Sequence, residues 1–226
     1  MSTTYTLTIT MDDTTVNDLL TSGYYLYAYK AVQAGNPNGG APLVWFQTQT
    51  FSETTVITWT ESYEAYTSTT TTLTDGTVIN ASASYAINLG QELQVNSTAG
   101  TGTVVNTSNS SVISVLNQTS TQFTCGLSQS VQGSSGSQLC ALPLYGNNLD
   151  TITPVEQVMV VFMTEDVNTG SVVYQLSGPS LLVDMTGMTE ATISYDINTN
   201  WSGNTEGWCT QYAAGTEIAP ILVQPS

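Results

Sequence analysis

The sequence predicts an all-β protein of 226 residues, folded as a single domain and built as a two-sheet antiparallel β-sandwich of jelly-roll or Greek-key type. Three observations point there. The stretch from Tyr24 to Tyr66 holds half of the tyrosines, two of the four tryptophans and the only basic residue, Lys30, in runs of aromatic and β-branched residues that suit a pleated, half-buried surface. Near the N-terminus, Tyr5, Leu7, Ile9 and Met11 alternate with polar threonines, the period-two signature of a strand with one face buried. Val155 to Met163 is apolar at nearly every position, as expected of a central strand buried on both faces.

The elements follow in chain order. Asp12 and Asp13 close the first strand, and Thr14 to Leu20, ended by Ser22-Gly23, makes one or two helical turns with Gly as the stop. The aromatic stretch divides into strands Tyr24 to Val32, Leu43 to Phe51 and Thr55 to Tyr63, the first two separated by the turn-forming GNPNGGAP. Asp75-Gly76 then centres a hairpin from Tyr66 to Tyr85, in which the two tyrosines face each other across the strands.

Short strands at Thr103 to Val105, Ser111 to Leu116, Gln122 to Cys125 and Gln138 to Leu144 come next. Val155 to Met163 is followed by Ser171 to Leu176, which pairs back on it, and then by Leu181 to Asp184, Thr192 to Ile197 and Ile218 to Val223. About twelve strands with no long amphipathic helix make the sandwich the natural architecture.

Charge narrows the function. Only 8% of residues are charged and the formal net charge is −16, so polyanions are repelled and no basic cluster exists to hold phosphates. Nucleic acid and anionic membranes are poor partners. No basic-then-apolar leader and no long apolar span is visible, while the Thr, Ser, Asn and Gln content favours an extracellular or surface setting. From Leu93 to Leu149 there is no charged residue at all, which reads as a hydroxyl-faced set of strands or as a surface meant to be covered; Ser111 and Asn117 are expected on its exposed face.

The missing residue types exclude much chemistry. Without His there is no Ser-His or Cys-His nucleophile, and with Lys30 as the sole cation, phosphoryl stabilisation by side-chain charge is almost absent. The expectation is a protein that is not an enzyme and carries no cofactor. It acts by binding glycan or protein through Tyr25, Tyr27, Tyr29, Trp45, Trp59, Tyr63, Trp201 and Trp208, or by self-association into a homo-oligomer. Tyr25, Tyr27 and Tyr29 share a strand face opposite Leu26 and Ala28, and an exposed aromatic ladder there suits such a role.

Two alternatives stand beside this. The Tyr66 to Tyr85 hairpin has arms of about the nine to eleven residues that span a bilayer, the mark of a β-pore-former. Glu53, Glu61 and Glu64 lie among aromatic residues and supply the carboxylates of a sandwich glycosidase.

Three structural features complete the reading. Lys30 is expected to pair with Glu61, both facing inward from neighbouring strands. Cys125 and Cys140 fall opposite each other about the VQGSSG turn, where a disulfide can form, although free thiols are nearly as plausible given an odd count of three cysteines. Asp196, Asn198, Asn200 and Glu206 have the alternate-residue oxygen spacing of a calcium loop, but the carboxylate falls one residue short, so a polar turn is the plainer reading.

Overall fold

A computed structural model describes residues 2–202 and 207–226. They form two large sheets whose inner faces share one apolar core. The first sheet runs β16 (Asn200–Ser202), β15 (Glu190–Asp196), β1 (Thr4–Thr10), β5 (Thr54–Ser68), β10 (Phe123–Val131), β12 (Cys140–Leu144) and β3 (Ala41–Pro42), with β6 (Ala83–Ile87) beside β5 and β11 (Ser137–Gln138) beside β10. The second is centred on β13 (Leu149–Met163). Along one side of β13 lies β2 (Tyr25–Ala34); along the other lie β9 (Ile113–Asn117) and β14 (Ser180–Asp184). Beyond β9 come β7 (Gln91–Val95) and β8 (Gly102–Asn106), beyond β14 comes β17 (Cys209–Tyr212), and β4 (Phe46–Thr48) and β18 (Val223–Pro225) pair with β2.

The sheets are mixed rather than purely antiparallel. β1 runs parallel to β15, β7 to β9, and β18 to β2, because each pair joins segments connected through other parts of the fold rather than by a tight hairpin. The α1 helix (Asp13–Thr21) forms where the sequence placed it, capped by the Asp12 carboxylate accepting from the Thr15 N–H at 2.6 Å.

Local expectations fail where tertiary contacts outbid local pairing. Leu43 to Phe51 is not one strand: β3 belongs to the first sheet and β4 to the second, and Leu43-Val44-Trp45 crosses between them, carrying Trp45 into the core. Ser171 to Leu176 does not pair on β13, because β14 holds that side through Val158↔Val183 and Val160↔Leu181. Instead Val173 and Leu176 lie over the outer face of β2 and β13. Ile218 to Val223 contains Pro220, which suits a first helical turn, and the chain forms α2 (Ala219–Leu222) before β18.

The hairpin expected from Tyr66 to Tyr85 keeps its turn and loses its arms. Thr77 N–H donates to Thr74 O at 3.0 Å and Gly76 has φ of 78°, a conformation that favours glycine. Gly76 and Ile79, however, donate to Val172 O and Gly170 O, so the loop bonds to a distant segment rather than to its own opposite arm. Where β5 and β6 do pair, Tyr85 lies opposite Ala65 and Tyr66 opposite Ser84. This one-residue shift puts the tyrosines on opposite faces. Tyr66 is buried under the loop with Leu43, Ile79 and Val172, and its hydroxyl donates to Cys140 O at 2.6 Å.

The cysteine register shifts as well. Cys125 lies opposite Leu142, not Cys140, and the two thiols are not bonded to each other. The short β11 pairing beside the turn offsets the hairpin from simple symmetry. Burial pushes the Cys140 thiol up to about 12 and Cys125 well above its usual range, so neither is poised as a thiolate.

β10 and β12 approach each other closely at Gly126, where an added Cβ would meet Cys140 O at 2.0 Å and the Tyr66 ring at 2.8 Å. Gly126→Ala should therefore destabilise the fold by about 1–3 kcal/mol, the usual cost of overpacking a filled site. The check is a lower urea midpoint at an unchanged slope; a midpoint equal to the parent's would mean that the strands there can spread.

Candidate functional site

The site is built from alternation. On β2, Leu26, Ala28, Val32 and Ala34 enter the core between the sheets, and Lys30, of the same parity, goes in with them. A fully buried ammonium needs a partner. It comes from β13, where pairing with β2 runs Pro154↔Val32 and resumes at Val158↔Lys30, so three residues bulge opposite one. Glu156 sits in that bulge. Lys30 Nζ lies 2.6 Å from Glu156 Oε2, with the lysine side chain 0% and the glutamate 15% exposed.

Aromatic residues from the first sheet close the site. Glu156 Oε2 also accepts from Trp59 Nε1 at 3.1 Å, and Oε1 accepts from the Tyr63 hydroxyl at 2.9 Å. Both donors are on β5, and a register irregularity against β10 between Gln129 and Val131 falls between them. Lys30 Nζ stands 4.9 Å from the Trp59 ring centroid and 5.8 Å from that of Trp45. Trp45 meets Trp59 edge-on and donates through Nε1 to Gln129 O at 3.0 Å, while Tyr5 stacks on Trp59. The carboxylate thus has three donors on two oxygens.

Burial pushes the Lys30 amine below the usual lysine range, against the opposing pull of Glu156. Burial likewise drives the Tyr63 hydroxyl upward, and the Glu156 charge adds to the effect. Chemically the site holds an amine and a carboxyl group in contact, in a nearly dry aromatic box whose donors converge on the carboxyl oxygens.

Several expected site residues lie elsewhere. Glu61 is exposed and is not the ion-pair partner; its charge acts on Lys30 only as the weakest of the influences on that amine. Glu53 and Glu64 are exposed too, so none of these three glutamates sits in an aromatic cleft. The Tyr25, Tyr27, Tyr29 face is as predicted, but it is not an exposed ladder. Tyr27 and Tyr29 are 0% exposed beneath Val173, Leu176, Ile218 and Leu222, and Tyr27 Oη donates to Glu165 O and accepts from Val167 N–H.

Trp201 is buried in a second aromatic cluster with Phe162 and Tyr195, and Trp208 is half-buried against the core. Asp196 turns onto its own loop, accepting from Asn198 N–H and Thr199 N–H at 2.8 Å each, and it pairs across the strands with Asn200. Glu206 lies outside the described residues. Among the described residues no group of three or more Cys, Asp or Glu is placed to hold a metal ion.

Compared with known proteins, the chain matches no family model, no curated protein and no solved structure. What it can do is therefore read from its own residues.

Glu156 is the residue that sequence reasoning missed. The signal was a lone acid inside the apolar run Val155 to Met163, two residues before Val158 and on the same face as Val158, Val160 and Phe162. Glu156→Ala strands the Lys30 charge and should cost about 3–5 kcal/mol, whereas Glu61→Ala should stay within about 0.5 kcal/mol. Denaturant melts of the two variants decide between the partners, and equal losses would return Glu61 to the pair.

The tyrosines set an alkaline limit. Tyr29, Tyr63 and Tyr66 have hydroxyls raised by burial above their ordinary value of 10.0, so the unfolded chain releases these protons first. Their contribution to stability is complete below pH 10 and is lost as pH rises beyond it. Phenolate absorbance should appear for these residues together with loss of near-UV dichroism, in one cooperative step above pH 10. Smooth titration of all twelve tyrosines with the fold intact would contradict their burial.

Proposed function

We propose that the chain is a non-enzymatic β-protein that acts by self-association, its uncharged end meeting a second copy edge to edge. One observation carries the reading. β8 ends the second sheet with β7 on one side and, among the described residues, no strand on the other, within a segment that has no charge from Leu93 to Leu149. Exposed edges are usually blunted by Lys, Pro or a bulge. β8, reading Gly102-Thr103-Val104-Val105-Asn106, has neither Lys nor Pro and pairs with β7 residue for residue.

The same segment supplies β10 and β12 of the first sheet, and the two parts touch across the molecule. Asn117 Nδ2 donates to Tyr145 O at 3.1 Å, and Gly100 lies against Phe123. The edge strand itself carries no charge, the acid on its neighbour, Glu92 opposite Val105, accepts from Gln94, and the backbone groups of β8 offer hydrogen bonds to an added strand. The acids that give the net charge of −16 lie outside this segment.

A charge placed on the β8 edge, or in the turn before β9 at the same uncharged segment, tests the idea. Asn117 is unsuitable, since it is buried and bonded through both Nδ2 and Oδ1. Thr103 and Ser111 are exposed. Thr103→Glu and Ser111→Glu should give smaller particles by light scattering, with stability within about 0.5 kcal/mol of the parent. A parent that stays monomeric at high concentration would end the proposal.

A further inference from the structure

We propose that Lys30 and Glu156 condense without any other reactant into an intramolecular amide, a covalent bridge between β2 and β13. Three features of the site converge on this reaction. The nucleophile and the acceptor are already in contact, Nζ standing 2.6 Å from Oε2 in a fully buried position. Well-oriented intramolecular reactions reach effective molarities of roughly 10⁵–10⁸ M. The carboxyl group is gripped from both sides: the Tyr63 hydroxyl, 2.9 Å from Oε1, is placed to stabilise the oxyanion that forms there when the amine adds to the carboxyl carbon, and Trp59 Nε1 holds Oε2, the oxygen that leaves, at 3.1 Å. Finally, taking both charges out of water makes a buried ion pair costly, and an amide removes both charges.

The atoms balance. The Lys30 ammonium passes one proton to Glu156 Oε2, leaving a neutral amine and a carboxylic acid. Burial favours that neutral amine. The nitrogen lone pair attacks the carboxyl carbon, forming the C–N bond and a tetrahedral adduct, while Oε1 keeps the Tyr63 hydroxyl as its donor. A second proton moves from nitrogen to Oε2, the C–Oε2 bond breaks, and one water leaves. Nothing is oxidised or reduced. The product closes a ring between residues 126 apart in sequence, along the most extensively paired strands of the second sheet.

The composition offers an unusually direct test. Lys30 is the only Lys or Arg, so a lysine-specific protease has one site in the unfolded chain, Lys30–Ala31, and an acylated lysine is not cut. The purified full chain would be denatured, weighed intact and digested. The expected result is a mass lower than the sequence mass by one water and no cleavage, with Glu156→Ala at its full sequence mass and cut into two fragments. Neither readout requires the variant to fold. A parent at full sequence mass that is cut in two would overturn the proposal and leave an ion pair only. A parent that has lost water yet is still cut at Lys30 would also overturn it, because the water would then have come from another site.

Discussion

A single positive charge buried in the core of a strongly acidic protein constrains this structure more than any other feature. Lys30 enters because its strand alternates, and once inside, its ammonium cannot be left without a carboxylate and a set of polarisable neighbours. The bulge in β13 turns Glu156 toward it, β5 presents the Trp59 and Tyr63 donors, and the crossing segment brings Trp45 over from β3. Four parts of the chain, from both sheets, thus converge on one atom cluster. Buried pairs of this kind add little net stability over a well-packed apolar core, but removing one partner is severe. Their value lies in specifying one register, or in the chemistry that the contact permits.

A second constraint is the scarcity of charge elsewhere. With 8% charged residues, the chain meets many of its buried polar groups with hydroxyls and amides of neighbouring residues. Asn117 shows how: fully buried, it donates to Thr121 O and Tyr145 O and accepts from both the N–H and hydroxyl of Thr119, tying the end of β9 to the turn after β12. The outer faces of the sheets are treated similarly. Val173, Leu176, Ile218 and Leu222 cover the tyrosine face of β2, and the loop after β5 covers Tyr66, so at these places residues alternate between two buried environments rather than between core and water.

These observations connect the interior with the proposed association. An acidic chain whose sole basic side chain is internal has no basic side chain to pair with the acids of a second copy, so contact between copies is best made through neutral groups and backbone hydrogen bonds. The edge at β8, with no strand beyond it among the described residues, is of that type. A covalent Lys30–Glu156 bridge would tie β2 to β13 independently of anything that happens at that edge.

Local patterns determined the class of this protein and most of its strands. Alternation placed Leu7 and Ile9 inside, separated Leu26, Ala28 and Lys30 from Tyr25, Tyr27 and Tyr29, and identified β13 as central; Asp12 before a short polar run located α1. The buried state of Lys30 followed from the same parity. Period two, however, distinguishes the two faces of a strand without saying what lies over either, so a covered tyrosine face and an exposed one read alike. Partner identity was equally beyond local pattern: Glu61 and Glu156 both have inward parity, and only the bulge in β13 and the sheet-to-sheet packing selected Glu156. Register was decided by the fold as well. Tyr66 and Tyr85, and Cys125 and Cys140, are symmetric about their turns in sequence, but contacts made by the connecting loops with Gly170 to Val172 and with β11 shifted both pairings. The sequence alone determined most of the strands and which residues are apolar; long-range contacts decided the remaining strands and what each strand faces, because burial is a property of the neighbour and not of the residue.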